Sequence, residues 1–277
     1  MNSIIVNGVR QVFHVAGHGP VMIAHSGGPG AEYSYLRSAA LEEHFTMVYL
    51  EPVGTGESGR LPSGGTYMDT YVDFLYAVVQ HLNEPRVLIL GHSHGGLIAQ
   101  RFALRYPERV AGLVLYSATP TTDAAFWAAA TAEVAAYAER YAEVPGAAEA
   151  AAAIEAPKAT TDEEATARLR AALPLYFADF WGRQDEFGPL RESIRSWAVQ
   201  PTATAVDLRP DLPSITAPTV VLTGREDFIC GPVWAEMLHH GIPGSELVII
   251  ENCGHFAQVE QPEEFLAAAT RVLVRAA

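Results

Sequence analysis

Apolar, β-branched runs alternate along the chain with stretches of helical period, which predicts a mainly parallel sheet with crossover helices. The opening run, SIIVNGVRQVFHVAG, reads as a hairpin turning at Asn7 and Gly8. The strand VMIAH follows, then a helix near residues 33–43 and the strand FTMVYLE. A helix over roughly 67–82 leads to the strand RVLILG, the helix GGLIAQRFALRY and the strand VAGLVLYS. The alternation ends with PTVVLTG, a helix near 232–240, ELVII and the helix PEEFLAAATRVLVRA. A hairpin feeding a parallel series predicts an α/β chain built on one eight-stranded, mostly parallel sheet, with helices on both faces.

One long stretch breaks this pattern. Residues 120–210 are alanine-rich, helical in period and carry no convincing strand. The expected organisation is therefore a core of residues 1–119 and 211–277, with 120–210 as a helical cap inserted over the C-terminal ends of the strands. Ligands bind at that end of open α/β sheets. The insertion holds many aromatics, among them Phe126, Trp127, Tyr137, Tyr141, Tyr176, Phe177, Phe180, Trp181, Phe187 and Trp197. Most are expected to be its own core, and a minority to line a substrate cavity.

Composition narrows the partners. The 277 residues carry a formal net charge of −14, which argues against nucleic acid and against anionic membrane surfaces. Neither a basic leader with an apolar centre nor a span-length apolar run is legible, so a cytoplasmic location is expected. Cys230 and Cys253 are too few for a disulfide framework and read as reduced thiols. The expected partner is a small-molecule or short-peptide substrate, and the sequence leaves the oligomeric state open.

The chemistry is concentrated in VLILGHSHGGLIAQ, where Gly91-His92-Ser93-His94-Gly95 forms a G-x-S-x-G between strand and helix. That context is a nucleophile elbow: a turn sharp enough to strain the serine backbone, with glycines where bulk has no room. Ser93 is the expected nucleophile. A serine hydroxyl needs a base, and the base needs an orienting acid; on this architecture both follow the serine in chain order, on loops after later strands. The loop after TVVLTG offers Asp227, with Glu226 as competitor, and the loop after ELVII offers His255. An oxyanion formed during attack needs two backbone N–H donors. His94 supplies one, and the glycine-rich loop HSGGPG after VMIAH supplies the other, from Gly28 or from its competitor Gly27. The loop lacks the phosphate-binding patterns. Histidines 25, 92 and 94 have no third ligand at metal spacing, so no metal is expected. The turn LEPVGTGESGR reads as structural, with Glu51 near the pocket rim as the alternative.

Together, GGPG at 27–30, EPVGTGESG at 51–59, GHSHGG at 91–96, GREDF at 224–228 and GH at 254–255 resemble the proline iminopeptidase family of α/β-hydrolases. The resemblance implies an α/β-hydrolase fold, a Ser93–Asp227–His255 triad, an oxyanion hole at Gly28 and His94, and no cofactor. It further implies acidic side chains for a substrate's free amine, one directly after the aspartate and one near the end of the cap. Here Phe228 follows Asp227, and SWAVQPTATAV at 196–206 offers no acid before Asp207. An unpaired buried ammonium is costly, so the expected activity is hydrolysis of an ester, amide or lactone. Release of an N-terminal residue is the alternative, with Asp179, Asp185 or Glu186 as a relocated anchor, and a lyase, cyclase or acyl transferase is a further one. The residues expected at the substrate are Gly27, Phe228, Trp181, Glu186 and Phe177.

Overall fold

The computed structural model describes residues 1–60, 67–199 and 205–276. Eight strands form one sheet: β1 Asn2–Val6, β2 Val9–Gly17, β3 Val21–His25, β4 Thr46–Glu51, β5 Val87–His92, β6 Val110–Tyr116, β7 Thr219–Gly224 and β8 Glu246–Ile250. Their spatial order is β1-β2-β4-β3-β5-β6-β7-β8. β2 is antiparallel to both β1 and β4, and every other pairing is parallel. The hairpin turns as expected at Asn7 and Gly8, which take the left-handed φ values of 51° and 82° that a tight two-residue connection requires.

Ten α-helices accompany the sheet among the described residues: α1 Ala39–Glu42, α2 Tyr67–Leu82, α3 His94–Arg105, α4 Ala124–Arg140, α5 Ala147–Glu155, α6 Asp162–Ala172, α7 Gln184–Ser193, α8 Pro232–Gly241, α9 Ala257–Glu260 and α10 Pro262–Ala276. The strands β5 and β7 are buried throughout, because helices cover both faces and alternate residues enter two different cores. Ile89, Leu113 and Val221 pack with α2, α3 and α8. Leu90, Val114 and Leu222 pack with α1 and α10 on the other side. The helix expected near 33–43 is instead a 3-10 turn, Ser34–Leu36, followed by the short α1. Ser38 interrupts it, with an extended backbone and a hydroxyl that accepts the Leu41 N–H.

Helices α4 to α7 lie between β6 and β7, and no strand of the sheet falls among the described residues of that segment. One isolated bridge, Ser196 with Ala31, attaches it to the loop after β3, and another, Thr121 with Asp207, joins its two ends. Five of its ten aromatics (Phe126, Tyr137, Phe177, Phe180 and Phe187) are buried in hydrophobic clusters. No helix of the described residues is long and apolar enough to cross a membrane.

Candidate active site

The expected elbow is present between β5 and α3. Ser93 has φ 52° and ψ −117°, a conformation rare for any residue with a side chain. Its N–H donates to the Tyr116 carbonyl at 2.9 Å, and its own carbonyl receives the Gly96 N–H at 2.8 Å. The turn closes only because its flanks are glycine. A Cβ on Gly91 would sit 2.4 Å from the Gly95 oxygen, and one on Gly95 would sit 2.2 Å from the His25 oxygen. The apolar strand and the amphipathic helix thus meet at a corner that holds a serine at the start of α3.

Asp227 and His255 come together from the loops after β7 and β8. Oδ2 of the aspartate lies 2.7 Å from Nδ1 of the histidine, and both side chains are buried. Oδ1 receives the backbone N–H groups of Ile229 at 3.1 Å and Cys230 at 2.9 Å, so every contact favours the carboxylate. Burial by itself would raise this carboxyl, but the His255 ring and the two N–H donors outweigh it and hold the group below its ordinary value. Burial and the Asp227 charge push the Cys230 thiol well up, so it stays protonated. Glu226, the competing acid, is exposed and turns away to accept the Cys253 N–H at 2.9 Å.

The glycine-rich loop lies directly against the elbow, with the position of a Gly27 Cβ 3.0 Å from the Ser93 Cβ. The Gly27 N–H is already committed, donating to the Tyr35 hydroxyl at 2.7 Å. The N–H groups of Gly28 and His94 have no acceptor among the described residues. Gly28 takes φ 117°, and a Cβ there would meet the Gly30 nitrogen at 2.5 Å.

Tyr35 also ties this loop, through His92, to His255. Having accepted from Gly27, its hydroxyl donates to Nδ1 of His92 at 2.7 Å, which leaves the His92 Nε2–H to donate to the His255 carbonyl at 3.0 Å. Burial, with the neighbouring His255, keeps His92 neutral well below the usual histidine value, as that tautomer requires. His94 makes a separate contact, Nε2 to the Tyr67 hydroxyl at 2.8 Å, and burial beside His25 lowers it to about 3. These two histidines serve protein partners on different sides of the elbow.

Two further residues hold the His255 loop to the inserted segment. The His255 N–H donates to the Tyr176 carbonyl at 2.7 Å. The buried Glu260 carboxylate receives Gly254 N–H on one oxygen and Ala178 N–H on the other, each at 2.7 Å. Burial raises Glu260 to about 7 against those two donors.

A cavity of about 770 Å³ opens between the HSGGPG loop and the inserted segment. Gly28 and Pro29 line it from the loop, Tyr67 from α2, and Trp127, Tyr176 and Trp197 are its aromatics from the insertion. Tyr176 stands 5.3 Å from the His255 ring and 4.9 Å from the Phe228 ring, linking the cavity to the Asp227–His255 pair. All five residues expected at the substrate lie outside this lining. Phe177 stacks on Phe187, Phe228 packs against Tyr176, and Trp181 donates to the Tyr137 hydroxyl at 2.7 Å. Glu186 is exposed and paired with Arg183, and Gly27 is turned to Tyr35. Asp179 and Asp185 are exposed and also lie outside it. Glu51 is away from the cavity as well, its carboxylate taken by His14 and the Glu57 N–H. Of the 196–206 stretch, residues 200–204 lie outside the described residues.

Residues 20–262 match the model of the alpha/beta hydrolase fold family. The chain belongs to that family. A 2-hydroxy-6-oxononadienedioate/2-hydroxy-6-oxononatrienedioate hydrolase of Escherichia coli K12 is 28% identical over 273 residues, covering 96% of this chain and 92% of its own. The esterase RhEst1 from Rhodococcus superposes with a TM-score of 0.77 at 19% identity, over 99% of this chain and 98% of the other. A proline iminopeptidase from Mycobacterium smegmatis does so with 0.70 at 21%, over 99% and 98%.

Within this alpha/beta hydrolase fold, the residues that sequence reasoning missed are Tyr35, Tyr176 in its backbone role, and Glu260. Each acts across the chain: Tyr35 is 57 residues from His92 and Glu260 is 82 from Ala178. No local spacing marks them. The one available signal was the run of tyrosines and histidines on both sides of the elbow, which is more than a core requires.

Proposed function

We propose that the chain is a serine hydrolase that needs no cofactor and cleaves an ester, amide or lactone bond of a small molecule through an acyl-enzyme. The observation that carries this is the buried 2.7 Å contact between Asp227 and His255, in a fold that also holds a strained serine elbow at Ser93. Asp227 holds Nδ1–H, which leaves Nε2 of His255 free of its proton and able to accept one from the Ser93 hydroxyl. Ser93 Oγ then attacks the substrate carbonyl. The oxyanion is received by the unengaged N–H groups of Gly28 and His94, fixed in place before the reaction begins. His255 returns the proton to the leaving group, and water, deprotonated by the same imidazole, releases the acyl group.

Relatives and neighbours named as hydrolases and an esterase support hydrolysis as the class. Release of an N-terminal residue has a fold neighbour in the proline iminopeptidase, but a free amine requires a carboxylate and the described lining of the cavity holds none. The test is turnover of p-nitrophenyl butyrate. Ser93→Ala and His255→Ala should each lower kcat by about a thousandfold or more. Turnover in Ser93→Ala equal to that of the native enzyme would remove the proposal.

A further inference from the structure

The charged groups on the cavity wall have the opposite sign to the chain. The sequence has 32 acidic side chains against 18 lysines and arginines, so an average patch is acidic. The described lining holds two charged residues, Lys158 and Arg168, and both are cationic. Lys158 is moreover the only lysine of the chain. Neither cation is paired with a carboxylate among the described residues.

Arg168 is spent on positioning. Its Nε donates to the Ala153 carbonyl at 2.8 Å, Nη2 to Ile154 at 2.7 Å and Nη1 to Pro157 at 2.9 Å. Those three carbonyls belong to the end of α5 and the residue just before Lys158, so the guanidinium braces the stretch that carries the lysine and adds its charge behind it. Lys158 keeps all three ammonium donors, is itself exposed, and stands at the wall of a cavity that is otherwise mostly apolar. An ammonium without a protein partner beside apolar walls favours an anionic group on a ligand with a hydrocarbon body.

We propose that this cavity takes a substrate with a carboxylate at the end remote from the scissile bond, and that Lys158 is the residue that selects it. The substrate class is then a monoester, amide or lactone of a dicarboxylic acid type, with one acid function derivatised for cleavage and the other free. The inference rests on the hydrolase reading for the reaction, but not for the recognition of the anion.

The test uses the Ser93→Ala protein, which has no nucleophile, titrated calorimetrically with monomethyl adipate and with dimethyl adipate. The monoanion should bind about tenfold more tightly than the diester, the scale of one charge-assisted contact. Adding Lys158→Met should bring that ratio to about one, and Lys158→Arg should preserve most of it. Lys158 is exposed, so both variants should melt with the parent, and melting curves verify this. A monoanion that binds no better than the diester, or a preference that survives Lys158→Met, overturns the proposal. Failure of Ser93 to react with a phosphonate would instead remove the hydrolase reading, and leaves this binding ratio to be judged separately.

Discussion

Among single residues, Ser93 and Tyr35 differ most in how they announce themselves. Ser93 is legible because the elbow is local: strand, two glycines, serine and helix must be consecutive for the turn to close. Tyr35 is not, because its work is to receive one N–H from the GGPG loop and to donate to His92 across the fold. Tyr35→Phe keeps the ring and removes both contacts. It should lower kcat on p-nitrophenyl butyrate about tenfold with a smaller change in KM, since an oxyanion donor loop that drifts loses transition-state binding first. Unchanged kcat in a folded Tyr35→Phe would show that the link does not position the loop. The side chain of Ser26 was equally hidden in the sequence: its hydroxyl donates to the Ala31 carbonyl at 2.9 Å and braces the loop.

At the scale of elements, the strands and long helices were readable from periodicity, and α2 and α10 begin and end where the pattern placed them. The failure was the helix expected at 33–43, where an extended Ser38 outweighed the apolar spacing. The join between β3 and α3 shows what periodicity cannot supply, because it depends on atoms too close for any side chain. Gly95→Ala places a methyl 2.2 Å from the His25 carbonyl and 2.9 Å from that of Ser26, all rigid backbone. This substitution should cost about 1–3 kcal/mol or more, measured by denaturant titration, and should lower activity by moving the HSGGPG loop. A stability equal to the native protein would mean that β3 and α3 can separate more easily than their packing indicates. The clamp on the His255 loop is also an element-scale feature. Glu260→Gln keeps one acceptor for Gly254 or Ala178 in place of two, and should reduce kcat while leaving labelling of Ser93 confined to the same residue.

For the molecule as a whole, buried titratable groups make stability depend on pH in opposing ways. Burial lowers His25 to about 4, against its hydrogen bond to Ser26, and His94 to about 3. Between those values and the ordinary histidine value near 6.5, the unfolded chain binds protons that the folded one refuses, so stability falls as pH falls. Glu260, raised to about 7, has the reverse sign: the folded state binds its proton above the unfolded value, and stability is lost as pH rises toward 7. His92 is lowered in the same direction, and with three buried histidines against one glutamate, the melting temperature should fall between pH 6.5 and 4. His25→Asn, which retains a donor for the Ser26 carbonyl, should make that fall shallower; an unaltered slope would place the buried charge elsewhere. The cavity wall and the two loops that meet at Asp227 and His255 belong to this scale too, because they join residues from both ends of the chain, and composition alone could not place the cations there. The most direct measurement of the central claim is intact-mass spectrometry with peptide mapping after treatment with a fluorophosphonate. One adduct, on the peptide bearing Ser93 and lost in both Ser93→Ala and His255→Ala, is the expected result. An unlabelled native protein, or an adduct on another residue, would contradict the assignment of Ser93, His255 and Asp227 as the catalytic group.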